Sequence, residues 1–312
     1  MGVLFYFRYM TKEELKKVLS KSPGYIKSGS KTLSKRFGIA RRFAKEAVRE
    51  VKIELEHPIT PFKRLIFDIE TSPNVGWFWR ASWKTSIGTH QILEERKVIC
   101  ISWKWEGKDK VYNSRWDKNK EDASMLAEFT KVLMQADEVV THNGDRFDIP
   151  WLRTRCLMLG LPFPNYVKSL DTLKKAKAMF NFQSNRLDYI AKSLGLGGKI
   201  PIAPSVWQRV CFPTNGKADY EDAMVEMLEY CDYDVVLLED VYVKLKSYIK
   251  PVSHVGISQG KEKHSCPTCG GDTPKYLGHT VTAGGNVKRH MECNSCGSDY
   301  MISNTVFLKM NK

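Results

Sequence analysis

The stretch Arg64-Leu65-Ile66-Phe67-Asp68-Ile69-Glu70-Thr71 constrains this chain more than any other. Its run of apolar, β-branched and aromatic residues, closed by Ser72-Pro73, predicts a buried strand. Side chains alternate faces along a strand, which puts Leu65, Phe67 and Ile69 on one face and Ile66, Asp68 and Glu70 on the other. Two carboxylates side by side at the end of a buried strand repel each other, and a cation between them removes the repulsion. The competing reading is that both acids are solvated where the strand frays.

Two further segments carry acids in suggestive places. His142-Asn143-Gly144-Asp145-Arg146-Phe147-Asp148 follows a predicted strand over 137–141 and precedes a predicted helix over 150–159. Asp148 then sits at a strand-to-helix turn, where ligands gather in open α/β sheets; an aspartate capping the helix satisfies the same pattern. In Glu229-Tyr230-Cys231-Asp232-Tyr233-Asp234, Tyr230 and Asp234 are four apart, hence on one face of a long helix predicted over 220–248. Asp234 precedes Val235-Val236-Leu237-Leu238, where that helix becomes buried. A buried carboxylate without a partner is costly, and a metal would relieve the cost. Asp232 is expected to face solvent.

Around these segments the order is a hairpin first, then strands alternating with helices. Val98–Trp105 and Lys110–Tyr112 read as hairpin strands, 121–135 as a helix, Ser169–Leu173 as a short strand and Asn185–Leu194 as a helix ended by Gly195. Gly197–Asn215, with Lys199, Trp207 and Arg209, reads as loop. This order predicts an α/β layer fold with a mixed sheet. Between Gly76 and Arg96, Trp77, Phe78, Trp79 and Trp83 interleave with Arg80 and Lys84. Bases stack on such rings while the cations neutralise phosphate; packing beneath a surface loop is the alternative.

The formal net charge of +14 favours a polyanionic partner, nucleic acid first. Residues 1–60 hold 14 Lys+Arg and 6 Asp+Glu, so 14 − 6 = +8 of that charge lies there. Thr11-Lys12-Glu13-Glu14 resembles a capping box opening a helix through Leu19, Ser30 caps a helix through Phe37, and Gly38 turns the chain into a helix over 40–55. Helix, glycine turn, helix is the outline of a helix-turn-helix. Lys31, Lys35, Arg36, Arg41, Arg42, Lys45 and Arg49 decorate it as phosphate contacts, unless they form only a solvated basic face. His57-Pro58-Ile59-Thr60-Pro61 is a stiff boundary. No run of eighteen apolar residues exists, which argues against a membrane span. The first residues are too short and too soon charged for a secretory signal, so a cytoplasmic protein is expected.

Cys100, Cys156, Cys211 and Cys231 are scattered and read as buried thiols. Cys266-Pro267-Thr268-Cys269-Gly270 and Cys293-Asn294-Ser295-Cys296-Gly297 are two CxxC turns with 23 residues between them. Four thiolates in this spacing predict a closed tetrahedral zinc site on a small ribbon. The domain reading is therefore a basic helical arm over 1–60, an α/β domain over 61–250, a linker over 251–264 and a zinc ribbon over 265–312.

Phe67-Asp68-Ile69-Glu70-Thr71, Asn143-Gly144-Asp145-Arg146-Phe147-Asp148 and Tyr230-Cys231-Asp232-Tyr233-Asp234 together resemble the three motifs of the DnaQ-like 3′–5′ exonucleases, named for four acids. Asp171-Thr172 and Leu187-Asp188-Tyr189 resemble less specific accessory segments. Position 229 is Glu rather than the histidine of one branch, and Tyr230 matches the tyrosine branch, which includes proofreading domains of family B polymerases. As a whole the chain is similar to phage-encoded exonucleases with a zinc ribbon, whose setting is the host cytoplasm. The resemblance covers about residues 62–250. It implies an RNase H-like fold and two Mg²⁺ or Mn²⁺ ions beside the one structural Zn²⁺. Asp68 would bridge both ions, Glu70 and Asp234 would complete one, Asp148 would hold the other, and Tyr230 would orient the attacking water. Asn143 and Phe147 would contact nucleic acid. The expected activity is 3′–5′ hydrolysis of nucleic acid, DNA favoured over RNA, to 5′-mononucleotides, with the ribbon free to dock a replication or repair protein. A structure-selective endonuclease on the same fold and a non-catalytic nucleic-acid adaptor are the alternatives.

Overall fold

Thr11 opens the first helix. Its side-chain oxygen accepts from Glu14 N at 3.2 Å, and the Glu14 carboxylate accepts from Thr11 N at 2.9 Å, so the capping box is closed. The structure, a computed structural model, describes residues 10–56, 61–80, 82 and 85–310. Of the expected boundary His57–Pro61, the first four residues lie outside the described residues, as do the expected stacking residues Trp83 and Lys84. The chain divides into two compact units, one up to Pro61 and one from Phe62 onward.

In the first unit α1 (Lys12–Lys21), α2 (Gly29–Phe37) and α3 (Arg41–Glu56) bury Leu15, Leu19, Leu33, Ala44, Ala47 and Val51 against one another. Gly38 sits at φ +63° between α2 and α3, a conformation glycine adopts without strain. Helix α2 begins earlier than Ser30 suggested; Ser28 stands at its cap without a side-chain hydrogen bond. All seven basic residues expected at phosphate are exposed. Lys12 and Lys16, by contrast, are paired with Glu50.

The second unit is built on β1 (Arg64–Thr71), which lies in the middle of a five-stranded sheet. A two-stranded hairpin follows, β2 (Val75–Gly76) with β3 (Ile92–Glu94), and then β4 (Val98–Trp105) and β5 (Tyr112–Arg115). After α4 (Ala123–Leu133) come β6 (Glu138–Thr141), α5 (Asp148–Met158), β7 (Lys168–Asp171), α6 (Thr172–Met179), α7 (Leu187–Ser193), α8 (Pro204–Cys211) and α9 (Lys217–Leu245). The sheet order is β5-β4-β1-β6-β7, antiparallel from β5 to β1 and parallel from β1 to β7.

Both faces of β1 are covered. Leu65, Phe67 and Ile69 pack on α4 and α5 through Met125, Leu126, Phe129 and Leu152, while Ile66 packs on α9 through the cluster that holds Val235 and Leu238. Burying a side chain such as Phe67 is worth about 1.5–3 kcal/mol. This two-sided cover explains a central strand with no polar residue before Asp68 other than its first, Arg64. The guanidinium of Arg64 is paired with Glu138 at 2.6 Å and with Glu106.

Several elements differ from expectation. The second hairpin strand starts at Tyr112, opposite Trp103, because the turn before it is drawn to α9: Gly107 N donates to Glu239 Oε1 at 2.7 Å and Lys104 pairs with the same carboxylate. Helix α6 follows β7 directly, capped by Asp171, whose carboxylate accepts from Leu173 N and Lys174 N. Helix α8 occupies the expected loop, with Pro204 in its first turn and Val206 and Val210 buried one turn apart. The expected linker contains a helical turn, α10 (Val255–Ser258), with Val255 buried and its N–H donating to Pro267 O. Asp232 does not point to solvent; it accepts from Ser102 Oγ at 2.6 Å and Asn113 Nδ2 at 2.7 Å, fastening α9 to β4 and β5.

The C-terminal part is a three-stranded sheet of order β10-β9-β8, made by β8 (Pro274–Val281), β9 (Val287–Cys293) and β10 (Asp299–Ser303), closed by α11 (Asn304–Met310). Among the described residues no helix is long and apolar enough to cross a membrane.

Candidate active site

Three acids converge at the C-terminal end of β1. Ligand oxygens of Asp68, Glu70 and Asp234 all lie within 4.8 Å of one another. Strand alternation aims Asp68 and Glu70 at α9, and α9 returns Asp234 to meet them. Asp234 is 1% exposed, and its Oδ1 is buried without a hydrogen-bond partner. Asp148 comes from the other side: it is buried at the start of α5, and its Oδ1 accepts from Ile69 N at 3.3 Å.

The loop that delivers Asp148 explains its own sequence. Asn143 stands at φ +72°, a conformation asparagine tolerates better than most residues. Gly144 packs so closely on Thr141 that a Cβ would lie 2.1 Å from its Oγ1. Asp171, unassigned by the sequence beyond its resemblance to an accessory segment, clamps the turn by accepting from Asn143 N at 3.0 Å and Asp145 N at 3.3 Å. Phe147 is half-buried against the cluster beneath α4 and α5. Asn143 lines a cleft of about 580 Å³ together with His142, Asp188 and Lys199. His142 has both ring nitrogens engaged, with Thr172 Oγ1 at 2.9 Å and Asn185 O at 3.0 Å.

Lys199 is the site residue the sequence did not single out. Its Nζ donates to Asp234 Oδ2 at 2.5 Å and to Tyr230 OH at 2.9 Å. Asp188 holds its backbone, accepting from Lys199 N at 2.8 Å. Tyr230 and Asp234 do share one face of α9, and Lys199 bridges them. Trp207 meets the Tyr230 ring edge-on at 6.2 Å.

The electrostatics follow from crowding anions in a dry place. Burial, and then the charges of Asp148, Glu70 and Asp234, push Asp68 well above the usual carboxylate range. Burial raises Glu70 to about 8 and Asp148 to about 7, and it raises Asp234 as well. Burial also raises the Tyr230 phenol to about 12, so it keeps its proton at neutral pH. Asp68, Glu70 and Asp234, the last with an orphaned buried oxygen, are the carboxylates that could hold a divalent cation. Hard oxygen ligands of this kind suit Mg²⁺ or Mn²⁺.

Residues 65–246 match the RNase_H superfamily. The chain belongs to that superfamily. In this RNase H-like domain, the matched span begins within β1 and ends just past α9, enclosing all four acids. A 110-residue segment, 35% of the chain, is 32% identical to the PolC-type DNA polymerase III of Ureaplasma parvum serovar 3. The chain spans only 6% of that polymerase's length. Among solved structures, the family B DNA polymerase of the archaeon Pyrobaculum calidifontis aligns with a TM-score of 0.44 and 16% identity, over 64% of this chain and 26% of that one.

A second cluster lies outside the RNase H-like domain. Cys266, Cys269, Cys293 and Cys296 have sulfurs within 4.8 Å of one another and form no disulfide. Cys266 Sγ is 3.7 Å from Cys296 Sγ, and Cys269 Sγ is 3.6 Å from Cys293 Sγ. Metal–sulfur bonds of about 2.3 Å in a tetrahedron place sulfurs about 3.8 Å apart, so the cluster has the size of a zinc site. Gly270 and Gly297 follow each pair at φ +75° and +69°, turning the chain back under the sulfurs. The hydrogen bond with Cys266 draws the Cys296 thiol down to about 4 and pushes Cys266 up.

Proposed function

We infer that this chain is a metal-dependent 3′–5′ exonuclease that hydrolyses nucleic acid, DNA in preference to RNA, to 5′-mononucleotides. The observation that carries the reading is the convergence of Asp68, Glu70 and Asp234 with Asp148 beside them, inside an RNase H-like domain. The preference for DNA rests on the polymerase relative.

Asp68, Glu70 and Asp234 would hold the catalytic Mg²⁺ or Mn²⁺ ions, with Asp148 alongside. Such ions, when bound, lower the pKa of the attacking water and stabilise the leaving oxygen of an in-line displacement. Tyr230 keeps its phenolic proton and, held by Lys199, presents it as a fixed hydrogen-bonding partner for that water. Lys199 also brings a positive charge to the place where a phosphate would lie. The exposed basic residues of α2 and α3 supply phosphate contacts, which fix position and carry no sequence information. The four cysteines hold one structural Zn²⁺ whose ribbon docks a protein or nucleic acid.

The test is a digest of matched DNA and RNA oligonucleotides labelled at the 5′ end, with Mg²⁺ supplied. A ladder of 3′ shortening, faster on DNA and absent in Asp68→Asn, is expected. An internal cut would replace the reading with an endonuclease, and binding without cleavage would replace it with an adaptor.

A further inference from the structure

The hairpin of β2 and β3 leaves the sheet immediately after the strand that carries Asp68 and Glu70, and the segment leading out of β2 toward its tip is aromatic. Trp77 is 42% exposed, Phe78 49% and Trp79 93%. A tryptophan that exposed is unusual in a chain able to bury such rings, and three consecutive exposed rings are more than a scattered surface residue. Trp77 and Trp79 meet edge to face, with centroids 5.8 Å apart and an interplanar angle of 86°, so this contact covers at most one face of the Trp79 ring.

The hairpin below the tip is a built scaffold. Trp77 N donates to Gln91 O at 3.0 Å, and the Gln91 side chain ties Trp77 O at 3.1 Å and Gly88 N at 2.9 Å. Gly76 allows the two chains to approach, since a Cβ there would lie 2.9 Å from Gln91 O. The base is tied down by two further contacts: Arg96 N donates to Asn74 Oδ1 at 2.8 Å, and the Arg96 guanidinium lies 5.1 Å from the ring centre of Trp151. Trp151 stands three residues after Asp148 on α5, on the same side of that helix. Trp79 is nine residues beyond Glu70, at most about 30 Å of extended chain. Arg80, next in sequence, is exposed.

We propose that Trp77, Phe78 and Trp79 form a stacking platform for unpaired bases of a nucleic-acid strand whose 3′ end lies at the carboxylates. The proposal rests on the nuclease reading for the position of that end. Free ring faces beside exposed positive charge match a single strand, whose bases offer open faces and whose phosphates seek cations. Bases in a duplex are already stacked on one another, so paired substrate has no use for the tip. The platform selects strands long enough to reach from the acids to the hairpin.

The test compares the full chain with Trp79→Ala and Trp79→Phe, using fluorescein-labelled oligo(dT) of 3 and 16 nucleotides, with Ca²⁺ replacing Mg²⁺ in the binding arm. Trp79 bears no fold, so both variants should keep the wild-type melting temperature. Trp79→Ala should weaken binding of the 16-mer about tenfold and leave the 3-mer unchanged, in Kd and in its cleavage rate with Mg²⁺. Trp79→Phe should restore most of the loss. Equal weakening of both lengths, or no weakening of the 16-mer, overturns the platform; the second result would reassign the tip to a protein partner. If no form cleaves either length with Mg²⁺ while Trp79→Ala still weakens only the 16-mer, the nuclease reading fails and the stacking surface stands.

Discussion

Lys199 Nζ lies 2.5 Å from Asp234 Oδ2, and its charge opposes the raised pKa of all four clustered carboxyl groups. The ammonium is therefore the counter-ion of the acid cluster. Removing it should cost stability when no divalent ion is present, because Asp234 loses its charged partner. Leaving a buried polar group unpaired costs about 1–3 kcal/mol, which is several degrees in melting temperature for a unit of this size. Added Mg²⁺ stabilises the folded state by mass action and should recover the loss. Lys199→Met is thus expected to melt about 5 °C below wild type without Mg²⁺, and to gain more than wild type on its addition. Equal Mg²⁺ shifts in the two proteins would show that Lys199 does not share the site.

The same carboxylates predict a pH dependence. Glu70 and Asp148 hold their protons to about 8 and about 7 in the fold, whereas in the unfolded chain they ionise near 4. The unfolded state then binds fewer protons between those limits, so stability falls as pH rises from about 4.5 through about 8 and levels off above. His142 and His254, whose pKa values burial lowers, act in the opposite sense below about pH 6.5. They titrate with or without Mg²⁺, so the difference between the two melting curves isolates the acids. The stabilisation by saturating Mg²⁺, with zinc kept constant, should grow steadily from pH 5 to pH 8. A difference that is flat across this range would contradict the clustering of four protonatable groups.

The four-cysteine cluster lies outside the RNase H-like domain, and the effect of breaking it should be local. Cys293 is buried at the end of β9, and its sulfur faces Cys269. The ribbon touches the end of α9 through Ser298 Oγ, 3.5 Å from Lys246 O, while the clusters around β1 are built from other residues. Cys293→Ser is expected to lose the single equivalent of zinc and to expose the ribbon backbone to hydrogen exchange. Protection of β1 and β4 should persist. Zinc retained at one per chain would show that another ligand completes the site.

What was legible from the sequence had a period or a spacing behind it. The alternation in β1 placed Asp68 and Glu70 on one face, the four-residue step placed Tyr230 with Asp234, and the CxxC pairs announced their own cluster. Lys199 had no such signal: it stands in a glycine-flanked loop, and its contact with Asp234 spans 35 residues. Asp171 was similarly hidden, because its two clamped amides belong to a turn almost thirty residues earlier. Helices α6 and α8 could have been read. Asp171 stands at the cap position of one, and Pro204 with Val206 and Val210 marks the first turn and buried side of the other. Asp232 was misjudged because helical periodicity tells which face a residue shares, not what packs on that face.

Tyr230 separates a positioning role from packing. Its hydroxyl accepts from Lys199 at 2.9 Å, and its ring meets Trp207 edge-on. Tyr230→Phe keeps the ring, the Trp207 contact and the Lys199–Asp234 bond, so fold and Mg²⁺ affinity should be preserved. Only the hydroxyl is lost. If it orients the attacking water, the loss appears in the rate of the bound complex and not in substrate affinity, by about 10²-fold. If the ring merely fills space one turn before Asp234, the hydroxyl is dispensable. Single-turnover rates at saturating Mg²⁺ distinguish the two, with the Mg²⁺-dependent melting shift as the check that the ions still bind. A loss of less than about threefold in rate with that shift unchanged would remove Tyr230 from the chemistry, even with all four acids essential.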